Sequence, residues 1–115
     1  MKKIKFFLDF EKEEKWLRKM EQNGYLFEKK SLFYYFTKTN PSNGVIKIDY
    51  RRFKNYKDFM DYISMFEDSG WKHISGTKSS GTQYFRLIDK ESNEDIFSDA
   101  RSRAGRYKRI SDMWL

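Results

Sequence analysis

The chain has 115 residues and a formal net charge of +7 at neutral pH, which suits one domain with a modest hydrophobic core and favours anionic partners. Aromatic residues make up 19% of it and proline occurs once, a composition that argues against disorder and for a packed fold. The absence of cysteine excludes a disulfide framework and a thiolate metal site, and no apolar run approaches the ~18 residues of a transmembrane helix.

The start, MKKIKFFLDF, is basic and then apolar. Its apolar part is short, and EKEEKW follows where a signal peptide would carry small residues and a cleavage site. The expectation is a first strand, KIKFFLD (3–9), in a cytoplasmic protein. A helix follows within DFEKEEKWLRKMEQNGY (9–25), with Asp9 as N-cap, a narrow apolar stripe of Trp16, Leu17 and Met20, and Gly24 just past its end. Glu11, Glu13 and Glu14 crowd the first turn, where the helix dipole favours negative charge, and Glu11–Lys15 and Glu14–Arg18 stand at ion-pair spacing. These glutamates read as helix chemistry rather than as a catalytic carboxylate pair. Strands YLFEKK (25–30) and LFYYFTK (32–38) come next, then the turn signals of TNPSNG (39–44). VIKIDYR (45–51) alternates as a strand does, and NYKDFMDYISMFEDSGW (55–71) carries a helical stripe of Tyr56, Phe59, Ile63 and Phe66. WKHISG (71–76) and TQYFRLI (82–88) are further strands. A basic helix over about 94–113 closes the chain, with Phe97, Ala100, Ala104, Tyr107 and Trp114 on one stripe.

Residues 9–25 line up with 55–71: Asp9 with Asn55, Leu17 with Ile63, Met20 with Phe66, and Gly24-Tyr25 with Gly70-Trp71. Tyr35-Phe36 and Tyr84-Phe85 match further on, with the loop GTKSSG longer by three residues in the second copy. The chain is therefore expected to be one α+β domain over 1–115, with repeat one at about 3–38 and repeat two at about 45–88. Its duplicated strand–helix–strand–strand units would form a mostly antiparallel sheet, or two half-sheets meeting at a pseudo-twofold axis. Both repeat helices would lie on one face, with the C-terminal helix added.

The segments DFEKEEKWL, the paired GY and GW, YFR at 84–86 and IFSDARSRAGRYKRI resemble the bacterial domain-of-unknown-function 2812 family, over about Phe7 to Ile110. The resemblance implies a protein of mainly Gram-positive bacteria, often encoded beside PadR-type regulators and often continuing into transmembrane helices, with no activity attached. This sequence stops at Leu115. The tandem units are also similar in topology to gyrase-inhibitor-like effector domains, which bind small hydrophobic or cationic molecules between their halves.

Both faces of LFYYFTK and TQYFRLI are aromatic or aliphatic, yet the two repeat helices cover only one. The other face calls for the third helix, a second subunit in a homodimer, another protein partner, or a small hydrophobic ligand. For a ligand the candidates are Trp16, Tyr35, Trp71 and Tyr84, with Glu28 as counter-charge. Arg101, Arg103, Arg106, Lys108 and Arg109 are candidates for an anionic partner, above all the inner face of the cell membrane. Nucleic acid is disfavoured, since no RNP-like motif occurs and acidic residues are interspersed through both helices. Catalysis is not expected and no cofactor is implied. His73 stands alone at a strand position, and Gly81 is followed by Thr-Gln where a phosphate loop needs Lys and Ser or Thr. The functional expectation is a non-enzymatic sensory or adaptor domain, with a purely structural or dimerising module as the alternative.

Overall fold

The computed structural model describes residues 1–88 and 97–102. In chain order the elements are β1 (Lys2–Lys3), α1 (Phe10–Gln22), β2 (Tyr25–Lys30), β3 (Tyr34–Lys38), β4 (Ile46–Arg51), α2 (Tyr56–Asp68), β5 (Trp71–Ser75) and β6 (Gly81–Leu87), and a helical stretch follows at 97–102. The fold is α+β and is built from two like units. Each unit forms its own antiparallel three-stranded sheet with the same strand order, β1-β3-β2 and β4-β6-β5.

The likeness extends to single residues. Asp9 accepts from the Glu11 amide at the start of α1, and Asn55 accepts from the Asp58 amide at the start of α2. Gly24 and Gly70 follow the two helices with φ of 90° and 89°, a left-handed conformation that favours glycine. Tyr25 pairs with Lys38 and Trp71 with Leu87. Each strand then breaks register at the same point, between Phe27 and Lys29 and between His73 and Ser75. The aromatic that enters each helix is shared too: Phe7 packs on Trp16 with centroids 5.6 Å apart, and Phe53 packs on Tyr62 at 4.9 Å.

Of the two arrangements expected, the strands adopt the two half-sheets, while the expectations for the first strand and for the α2 stripe need correction. The edge strands β2 and β5 do meet, but through the Ser75 hydroxyl, which donates to the Lys30 carbonyl and accepts from the Lys30 amide (3.2 and 2.9 Å). The bulges bend both strands where a shared ladder would have to form. The first strand is only Lys2–Lys3 long. From Ile4 the chain leaves the sheet so that Phe7 can reach Trp16, and the apolar alternation of 4–8 belongs to a connector. In α2 the buried face is Phe59, Tyr62, Ile63 and Phe66, whereas Tyr56 sits in the first turn and is exposed.

Two cores result. One gathers α2, Trp71, Phe85, Phe97 and Ala100. The other gathers Leu17 and Met20 of α1, Phe27, Tyr34 and Phe36 of the first sheet, and Ile46, Ile48 and Tyr84 of the second. Helix α1 is thus shared between both sheets, and β6 has its Phe85 face under α2 and its Tyr84 face under α1. The surface expected to need a lid is covered, on β6, by the helix of the other unit. Among the described residues no helix is long and apolar enough to cross a membrane.

Candidate ligand-binding cleft

Helix α1 turns three carboxylates toward the second unit. Glu21, 1% exposed, accepts from the Phe27 amide and pairs with Arg86, which also donates to the Phe27 carbonyl at 2.8 Å. Glu14 accepts from the Ile48 amide at 2.7 Å and pairs with Lys47, so that an outward amide of edge strand β4 is satisfied. Burial raises the Glu14 pKa above its ordinary value, against the lowering effect of the Ile48 amide and Lys47.

Glu13 is different in kind. It is 5% exposed, and its Oε2 accepts from both the Tyr34 and the Tyr84 hydroxyls, the former at 2.7 Å. Among the described residues its Oε1 accepts no hydrogen bond and no lysine or arginine pairs with it. Burial, reinforced by the bonds to Glu13, pushes both phenols well above their ordinary pKa, so they remain protonated donors.

This carboxylate lines a cavity of about 380 Å³ at the junction of the units. The cavity is also lined by Phe6, Phe7 and Phe10, by Gly76 and Ser80 of the β5–β6 loop and Thr82 of β6, and by Lys5, Lys30 and Ser31. Lys30 donates to the Ser31 carbonyl and rests on the Tyr34 ring, and Lys5 rests on Trp16. A second cavity, about 350 Å³, lies where β2 and β5 meet and is lined by equivalent triplets, Leu26-Phe27-Glu28 and Lys72-His73-Ile74, together with Arg86. Among the described residues no group of three or more His, Cys, Asp or Glu side chains could hold a metal ion.

The five residues expected to form a ligand site do not converge. Tyr84 reaches the first cavity through its hydroxyl. Trp16 is half-buried behind it, against Phe7, Tyr34 and Phe36. Glu28 lines the second cavity. Tyr35 is on the open face of the first sheet, beside Lys29. Trp71 is fully buried against Phe97, as core. Arg101 faces β4, where it donates to the Ile48 carbonyl at 2.9 Å and lies 3.5 Å from Asp49. Arg103, Arg106, Lys108 and Arg109 lie outside the described residues. His73 bonds Gln83 at 2.9 Å between the Phe59 and Phe85 rings, and burial lowers its pKa.

Glu13 escaped the sequence reading because a glutamate in a first helical turn has a ready explanation in the helix dipole. The signal was in the repeat: Glu13 falls opposite Phe59, a core residue of α2. A carboxylate at a core-facing position is costly unless something satisfies it.

The family described as protein of unknown function (DUF2812) matches residues 9–115, and the chain belongs to it. No curated protein and no solved structure matches the chain.

Proposed function

We propose that this chain is a non-catalytic ligand-binding domain of the sensory or adaptor kind. Its cleft between the two units takes a small apolar molecule bearing a positively charged, hydrogen-bond-donating group. The observation that carries the reading is Glu13. It replaces the core phenylalanine of the other unit, is held by two phenols through one oxygen, and lines an aromatic-walled cavity. Aromatic walls with one fixed polar group are the usual composition of small-molecule sites. A cation would pair with a buried carboxylate that is held by neutral phenols. Lysines in the lining leave room for a polar or anionic tail.

Thermal shift with a panel of aromatic amines and their neutral isosteres tests the reading. Amines should raise the melting temperature and the isosteres should not. Glu13→Gln, which keeps the shape, should weaken amine binding by about tenfold or more, the scale of a lost charged hydrogen bond. Equal shifts from amines and isosteres, or amine binding unchanged in Glu13→Gln, would overturn it.

A further inference from the structure

The connector from β1 to α1 exposes apolar side chains that its counterpart in the second unit does not carry. Ile4, Phe6 and Leu8 are 54%, 85% and 109% exposed, while Phe7 between them packs inward on Trp16. Their equivalents 46 residues later are Tyr50, Arg52 and Lys54. The β2–β3 turn lies alongside, since Lys3 pairs with Tyr34 and the first cavity is lined by Phe6 and Ser31 together, and it adds Leu32 at 67% exposure. Lys2, Lys3 and Lys5 lie in the same N-terminal segment, and Lys29 and Lys30 end β2 just before the turn. Two acidic side chains border this patch, Asp9, which caps α1, and the exposed Glu28 beside Lys29, against five lysines.

We infer that this edge of the first unit is an interfacial surface for an anionic lipid bilayer, with Ile4, Phe6, Leu8 and Leu32 entering the headgroup–acyl boundary and the lysines meeting lipid phosphates. Single apolar side chains alternating with lysines suit a boundary where hydrocarbon and negative charge lie a few ångströms apart. A second copy of the chain suits it poorly. A twofold contact would set the same lysines against themselves, because such an interface places one patch on its own copy. The inference does not rest on the ligand cleft, although the two share Lys5, Phe6 and Lys30. The test therefore leaves these three in place.

The full chain should co-sediment with vesicles of equal parts phosphatidylcholine and phosphatidylglycerol and stay in solution with phosphatidylcholine alone. The double variant Leu8→Ser/Leu32→Ser removes two exposed side chains. It should keep the melting temperature and the amine response while losing about tenfold in vesicle affinity. Failure of the wild-type chain to bind the anionic vesicles would overturn the inference. So would undiminished binding of the double variant, which would place the contact elsewhere on the chain. A wild-type dimer in light scattering that the double variant converts to monomer would assign the surface to a second copy instead.

Discussion

The two units share strand order, caps and bulges, and they differ in what lies against their sheets. On β6, Gln83, Tyr84 and Phe85 are all buried, because α2 covers one face and α1 the other. On β3, Tyr34 and Phe36 are buried while Tyr35 between them is 36% exposed. A buried sheet reads as a continuous apolar run and a half-covered one alternates, and here one folding unit occurs in both forms within a chain. Duplication has thus freed the first unit's helix to serve two sheets, and its glutamates are the means. A helix that must face two partners needs polar groups aimed at the second, and Glu13, Glu14 and Glu21 supply them. Position determines a residue's role here as strongly as its identity does.

Equivalent tyrosines should separate the two units most widely. Tyr84→Ala should cost about 3 kcal/mol or more in urea unfolding, the scale of a large aromatic lost from a core, and it also strips one donor from Glu13. Tyr35→Ala, the matching substitution in the first unit, should cost under about 1 kcal/mol, since it removes an exposed ring and a weak contact with Lys29. Equal costs would mean that the two sheets are covered alike. A second pair comes from the helices. Glu21→Ala leaves the Arg86 guanidinium without its carboxylate and should destabilise by about 3 kcal/mol, while its exposed equivalent Glu67→Ala should change stability by less than about 0.5 kcal/mol. Should Glu21→Ala prove as mild as Glu67→Ala, the ion pair would not be what joins the units.

Much of this was legible beforehand where the pattern is local. Helix starts at Asp9 and Asn55, ends at Gly24 and Gly70, and the strands YLFEKK and WKHIS follow from capping chemistry and period-two alternation. What did not follow was anything set by the meeting of the units. Alternation in KIKFFLD is the same for a strand and for a connector that turns one aromatic inward, and the Phe7–Trp16 contact decides between them. The spacing of Tyr56, Phe59, Ile63 and Phe66 does not single out Tyr62, whose place on the buried face is fixed by Asp49 of β4, the carboxylate of which accepts its hydroxyl at 2.9 Å. Of the cleft, Tyr84 was legible as an aromatic on a sheet face. Glu13 was not, because its burial depends on a strand that lies 71 residues away in sequence.

The smallest expected effect concerns Phe27 and His73, which hold the same place in the two units. Phe27 is fully buried and does not titrate. His73 is partly buried between aromatic rings, and burial lowers its pKa below 6.5 despite the opposing pull of Gln83 and Glu67. Above about pH 7.5 the imidazole is neutral in folded and unfolded chains alike and adds no pH dependence. As pH falls below that value the unfolded chain takes up the proton first, so stability declines until the pH passes below the lowered folded-state pKa. Glu14 acts in the opposite sense at lower pH, because protonation relieves the cost of burying its charge. His73→Phe should therefore flatten the loss of urea midpoint between about pH 7.5 and about pH 5, whatever it does to stability at neutral pH. Parallel profiles for wild type and variant would assign the acid sensitivity to other groups and leave the His73 site electrostatically equivalent to that of Phe27.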